Sequence, residues 1–437
     1  MSSASADPPL EATAKIARDL IRFDTSNFGD GRSNGETEAA EYLGALLEQL
    51  GATAKYFESE SNRTSVVARI EGADRSKPAL VVHGHTDVVP AEADKWSVDP
   101  FDGSIKNGML YGRGAVDMKN MDAMIISALQ DIHAAGKQPA RDLVVAFFAD
   151  EENGGVFGSH FVVDDHPDLF AGATEAIGEV GGYSITLNGT RAYLLQTGEK
   201  ALLWLKLIAR GRAAHGSRVI GDNAVTRLAR AVAAVGELEW PVELLQTTRI
   251  LVAQLEQIFG VEPGELDAER LVSRIGTASG FIESSLRTTT NPTVLKAGYK
   301  ANVIPDSAEA LIDIRTFPGD EETVLATIRK LVGPDIEVVV THRDIGLENP
   351  FSGPLVTAMT AALAEADPGA PVIPYVFSGG TDNKALSKLG ITGYGFSPLR
   401  LPADLDFPAM FHGVDERVPL DALVFGRQVL GNLLLTY

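Results

Sequence analysis

Histidine and carboxylate residues recur in five short motifs whose first and last members lie far apart along the chain. They are His85 in HGHTDVVP, Asp117 in GRGAVDMKN, Glu151 and Glu152 in FADEENGG, Glu179 in GEVGG and His412 in FHGVDERV. If they act together, both ends of the chain must build one site, and the domain that carries it must be discontinuous. Two histidines and three carboxylates are enough to hold two divalent cations that share one carboxylate, which leaves a glutamate free as a base. That is the inventory of a two-metal hydrolase.

A chain of 437 residues is too long for one ordinary core, so two domains are expected. With 38 Lys and Arg against 59 Asp and Glu, the net charge is −21, which repels nucleic acid and anionic lipid. No apolar run approaches the about 18 residues a membrane span needs. The N-terminal stretch MSSASADPPLEATAK has neither a basic nor an apolar leader region, and the chain has no cysteine. A cytoplasmic protein without disulfides or thiolate metal ligands is expected.

Apolar periodicity predicts helices over 11–23, 36–50 and 119–135, and strands over 65–70, 80–83 and 143–148. Lys106-Asn107-Gly108 reads as a hairpin turn. Strands alternating with helices argue for a layered α/β sheet. The rhythm changes near residue 200. A strand over 201–210 precedes a helix that Asn223 caps, and strands at 308–315 and 336–341 flank a helix at 321–332. Residues 241–295 read as helical or irregular, with TTTNPT as a loop. This middle block has few candidate ligands and reads as an insertion at 200–343 into a domain built from 1–199 and 344–437.

Each motif also has a plainer reading on its own. His85 follows an apolar strand, where open α/β sheets place their sites, and Asp87 on the same extended face can support its imidazole. A satisfied strand-end histidine fits as well, and His83 is read as structural. Asp117 can bridge two cations or merely cap the next helix. The acids at 150–152 are costly to crowd after a buried strand unless a cation is near. On an extended chain, Glu151 and Glu152 would point opposite ways. Glu179 and His412 alone read as loop residues, and His133, His160, His166 and His342 as surface or structural.

Together the motifs resemble the co-catalytic zinc family of aminoacylase-1, carboxypeptidase G, acetylornithine deacetylase, succinyl-diaminopimelate desuccinylase and yeast carboxypeptidase S. The resemblance covers nearly the whole chain. It implies a zinc-aminopeptidase-like three-layer α/β catalytic domain carrying a smaller, ferredoxin-like α+β lid and dimerisation domain. One metal would take His85, Asp117 and Glu179, and the other Asp117, Glu152 and His412. Zinc is implied, with cobalt or manganese as alternatives. Glu151 would be the general base acting on a metal-bridging water, with Asp87 supporting His85.

The resemblance also reaches the inserted block. His215 in ARGRAAHGS would stabilise the oxyanion, from the partner subunit in a homodimer. Asn302 in KANVIPDS and Arg315 in IDIRTFPG would bind substrate, Arg315 through a carboxylate. Gly379, Gly380 and Thr381 in FSGGTDNK would contact substrate through backbone amides. The implied activity is hydrolysis of an N-acyl amino acid, dipeptide or related amide, with deacylase, dipeptidase, carboxypeptidase and carbamoyl-amide hydrolase all open. A non-catalytic metal- or peptide-binding protein on the same fold is the alternative. Arg218-Val219 after HGS and the long 241–295 stretch depart from compact relatives.

Overall fold

The computed structural model describes residues 10–29 and 31–437. The leader reading rests partly on residues 1–9, which lie outside the described residues. Among the described residues, no helix is long and apolar enough to cross a membrane.

A ten-stranded mixed sheet organises both ends of the chain. Its order runs 55–58, 64–70, 143–148, 79–85, 173–178, 392–395, 190–199 and 347–348, with 372–377 and 184–187 also pairing with 190–199. The neighbours 143–148, 79–85, 173–178 and 392–395 are mutually parallel. Ala79–His85 and Leu143–Phe148 are buried throughout, as parallel strands covered on both faces must be. Alternate residues supply two separate cores, because side chains alternate across a strand. Leu80, Val82, Val145 and Phe147 pack on the side of the helices Ala12–Ile21, Lys119–Ala134 and Leu420–Thr436. Val81, Val144, Ala146 and Phe148 pack on the other side with Val162, Val163, Ala385 and Leu386. The result is three layers, with the parallel strands ending on one edge.

The second sheet is antiparallel, in the order 289–297, 307–316, 201–210 and 336–344. Helices Ala224–Gly236 and Glu321–Val332 cover one face, where Leu203, Leu205, Leu207, Ile312, Ile314, Leu228 and Ile328 form a separate core. With 246–286 set aside, the chain order is strand, helix, two strands, helix, strand, and the sheet order is that of a ferredoxin-like unit. Asn223 caps its helix as expected, accepting from the amides of Val225 at 2.9 Å and Thr226 at 3.3 Å. The 105–111 hairpin turns on left-handed Asn107 and Gly108.

Two stretches differ from the sequence reading. The TTTNPT segment is not a loop, because the strand Thr289–Ala297 starts inside it. Its β-branched threonines favour extended backbone, and Pro292 is tolerated because the strand is at the sheet edge and its register shifts between Pro292 and Val294. The helices within 246–286, by contrast, bury Leu251, Leu255, Leu271 and Ile282 in the core of the large sheet rather than in that of the small one. Helical periodicity does not reveal which core an apolar face will join.

Candidate metal centre and cleft

His85, Asp117, Glu151, Glu152, Glu179 and His412 meet on the edge where the parallel strands end. His85 closes its strand, and its Nδ1 is hydrogen-bonded to the Asp87 carbonyl at 3.0 Å, with an Asp87 carboxylate oxygen at 3.4 Å. This leaves Nε2 directed at Asp117 Oδ1 (3.1 Å) and Glu179 Oε2 (3.4 Å). The other oxygen of Asp117 is 3.2 Å from His412 Nε2, which lies 3.0 Å from Glu152 Oε2. Two groups of three donors therefore form, His85–Asp117–Glu179 and Asp117–Glu152–His412, each with its ligand atoms within 4.8 Å of one another. Asp117 belongs to both, one oxygen facing each histidine.

Glu151 and Glu152 diverge, but not by strand alternation. Asp150 adopts a left-handed conformation (φ 65°) and Glu151–Asn153 form a single 3₁₀ turn. Glu152 turns to His412, while Glu151 Oε2 stops 3.8 Å from His85 Nε2 and joins neither donor group. Asp87 holds this turn, accepting from the amides of Glu151 (3.0 Å) and Glu152 (3.2 Å) and from Asn27 Nδ2 (2.9 Å). Asp150 is held in turn by Arg63 at 2.7 Å and Asn27 at 3.0 Å. The sequence reading gave Asp87 one task beside His85, and the fold adds a second. Asp87→Ala is expected to weaken divalent metal binding about 10–100-fold, the usual loss for an outer-shell partner. Titration calorimetry on the metal-free protein would check this.

The electrostatics ask for positive charge. Burial pushes Glu179 up to about 8 and raises Glu152, whose Oε1 is buried without a hydrogen-bond partner. Burial, with the Glu179 charge beside it, holds Glu151 well above the usual carboxylate range. Burial also opposes ionisation of Asp117, yet hydrogen bonds from His412 and His85 keep its carboxyl low. His412 is raised to about 11 by its hydrogen bonds to Asp117 and Glu152. Crowded, desolvated carboxylates with an orphaned oxygen fit cation binding. His83 is indeed apart from this centre: it is buried, bonded to Asn383 Oδ1 at 3.0 Å, and pushed down to about 4 by burial.

A cleft of about 340 Å³ opens over the centre. Arg315, Gly379, Gly380 and Thr381 line it. Arg315 is gripped at 2.8 and 3.0 Å by both oxygens of Asp313, and its Nη1 reaches the Ser378 carbonyl at 3.3 Å. It is both an ion-paired and a cleft-facing arginine. The amide and hydroxyl of Thr381 both donate to buried Glu199, at 2.9 and 2.6 Å, so Thr381 anchors its loop instead of offering a free amide. His160 and His342, set aside as surface or structural, also line the cleft. His215 and Asn302 do not, for both are exposed on a small ribbon where Ala214–His215 pairs with Val303–Ile304.

One positioning residue escaped the sequence reading. Glu416 accepts from Arg113 Nη1 (2.7 Å) and from the amides of Gly114 (3.1 Å), Val116 (2.7 Å) and Asp117 (3.1 Å). It thereby ties the loop carrying Asp117 to the loop carrying His412. The only signal for it was an arginine in one glycine-rich motif and a glutamate in another.

Comparison with known proteins agrees with this geometry. The chain is 28% identical over 387 residues to a probable carboxypeptidase S-like 2 of Dictyostelium discoideum, covering 82% of this chain and 71% of that protein. It is 26% identical over 461 residues to the N-fatty-acyl-amino acid synthase/hydrolase PM20D1 of Xenopus tropicalis, covering 96% and 84%. The fold matches the M20 family metallo-carboxypeptidase Sso-CP2 of Sulfolobus solfataricus with a TM-score of 0.75 at 19% identity, over 98% of this chain and 99% of that one. The sequence also matches peptidase family M20/M25/M40 over residues 81–436, from the strand that delivers His85 to the helix that follows His412. The chain therefore belongs to the M20/M25/M40 peptidases and is a metal-dependent amidohydrolase.

Proposed function

We propose that the protein hydrolyses the amide bond of a small N-acyl amino acid, dipeptide or related amide bearing a free carboxylate, with Glu151 as general base. The observation that carries this reading is the pairing of two donor groups through Asp117 beside a glutamate that belongs to neither. One cation would be held by His85, Asp117 and Glu179, the other by Asp117, Glu152 and His412. An imidazole and carboxylate set without thiolate suits zinc, cobalt or manganese, and zinc is the occupant we assign. Divalent cations bound there supply Lewis acidity, which polarises a carbonyl and makes water a nucleophile near neutral pH.

The chain's own residues do the rest. Glu151 accepts the proton of the attacking water and returns it to the departing amine nitrogen. Arg315 offers a planar donor edge to the substrate carboxylate, with Asp313 holding its other edge. Gly379 and Gly380 let the loop approach the substrate closely. We assign His215 and Asn302 to the cleft of a second copy, as oxyanion and substrate contacts, because both stand exposed on a ribbon away from their own cleft. The small-sheet unit then serves as lid and dimer contact, and its closure would exclude water. Similarity to an N-fatty-acyl-amino acid synthase/hydrolase and to a probable carboxypeptidase S-like protein supports both an N-acyl amino acid and a free carboxylate in the substrate.

Amine release from a panel of N-acyl amino acids and dipeptides tests the reading. Zinc-loaded protein is expected to turn over at least one class, and chelator-treated protein to lose that activity and regain it with added zinc. Turnover that survives complete metal removal would refute the metal assignment, and a loaded protein inert toward the whole panel would refute the substrate class.

A further inference from the structure

The cleft has an apolar wall that the metal centre does not use. Phe281, Phe377 and Phe411 all line the cleft, and the Phe281 ring lies 5.7 Å from that of Phe377 and 6.1 Å from that of Phe411. Phe411 is the residue before His412, so the wall begins beside the metal centre. Phe281 comes from the helical stretch 246–286, which packs on the large sheet rather than the small one.

This stretch is braced rather than loosely draped. Its buried leucines join the large-sheet core, Lys200 donates to the carbonyls of Ser284 and Arg287, and Ser284 Oγ lies 2.7 Å from Ser378 Oγ. Phe377 is equally constrained, because its ring folds back over Gly379 so closely that a methyl group there would collide with it.

The wall meets the carboxylate anchor at one residue. Arg315 Nη1 reaches the Ser378 carbonyl at 3.3 Å, and Ser378 follows Phe377 and contacts the turn after Phe281. A side chain that branches from the carbon bearing a carboxylate held by Arg315 starts within a few bonds of that point. Other lining residues form a distinct polar group, in which Gly154 neighbours His342 and Gly155 neighbours Ser159 and His160.

We infer that Phe281, Phe377 and Phe411 form a specificity pocket for a large apolar side chain on the carboxylate-bearing residue of the substrate, with Phe281 supplied by the braced 246–286 stretch. The inference rests on the proposed amide hydrolysis and on Arg315 as carboxylate anchor, and it names the amino acid released as aromatic or large aliphatic. Discrimination by such a pocket is expected at about tenfold or more between a large and a small apolar group, since one methylene alone is worth about 10–200-fold.

Two substrate series separate the possibilities. One varies the side chain at constant acetyl (N-acetyl-L-alanine, -leucine, -phenylalanine), and the other varies acyl length at constant alanine. With zinc-loaded enzyme, kcat/KM is expected to rise at least about tenfold from alanine to phenylalanine. Phe281→Ala should erase most of that ratio and Phe281→Leu only part of it, with melting curves showing that both variants fold. A flat side-chain series, or a Phe281→Ala effect confined to acyl length, would overturn the inference and place the acyl group on the wall instead. If the wild type hydrolyses nothing, the hydrolase reading fails separately. Calorimetric binding of free L-phenylalanine against L-alanine then decides the pocket: preference for phenylalanine that Phe281→Ala abolishes supports it, and equal binding overturns it.

Discussion

Glu151→Gln should lower kcat by about 10²–10⁴-fold, the span general-base catalysis supplies, while both cations stay bound. The reason is geometric. Glu151 lies in neither donor group, so replacing its carboxylate by an isosteric amide removes a proton acceptor without removing a ligand. Its amide nitrogen, held by Asp87, is untouched. Glu152→Gln provides the contrast: its oxygen meets His412 inside the second group, so that change should weaken metal binding as well as turnover. Metal analysis beside steady-state kinetics distinguishes the two. Near-normal kcat in a metal-replete Glu151→Gln protein would remove the base assignment.

Glu416→Ala should give the largest loss of stability, about 3–5 kcal/mol, the usual cost of breaking a buried ion pair by removing one partner. The amides of Gly114, Val116 and Asp117 and the guanidinium of Arg113 all converge on the Glu416 carboxylate, and both charged side chains are nearly inaccessible to water. The amides would stay buried without their acceptor, and the tie between the loops bearing Asp117 and His412 would fall back on Arg113 Nη2 and the Gly413 carbonyl at 3.0 Å. Chemical denaturation would measure the loss, and metal affinity should fall with it. A Glu416→Ala protein as stable as the parent would mean that the clamp contributes little.

Most of the candidate donor set was legible because metal ligands must be particular residue types in particular loops. His85, Asp117, Glu152, Glu179 and His412 meet where the motifs place them, since apolar parallel strands deliver loops to one edge of a sheet. Less was legible around them. Glu416, and Asp87 in its second task, act through backbone amides of residues distant in sequence, and no local pattern marks such a contact. The divergence of Glu151 from Glu152 depends on a left-handed Asp150 followed by a 3₁₀ turn, where an extended chain was expected. Thr381 looked free for substrate until Glu199 was seen to take both its donors. His342 reaches the cleft from a strand of the small sheet, far in sequence from the motifs, and His160 from the helix that follows the FADEENGG turn.

By itself, the sequence determined the layered α/β class and picked out the candidate donor residues, because these follow from periodicity and from the chemistry a cation demands. Tertiary structure decided which core the 246–286 helices join, which carboxylates clamp the ligand loops and which residues wall the cleft. Those outcomes depend on packing between segments distant in sequence, where apolar faces and buried hydrogen bonds choose their partners only when the chain closes.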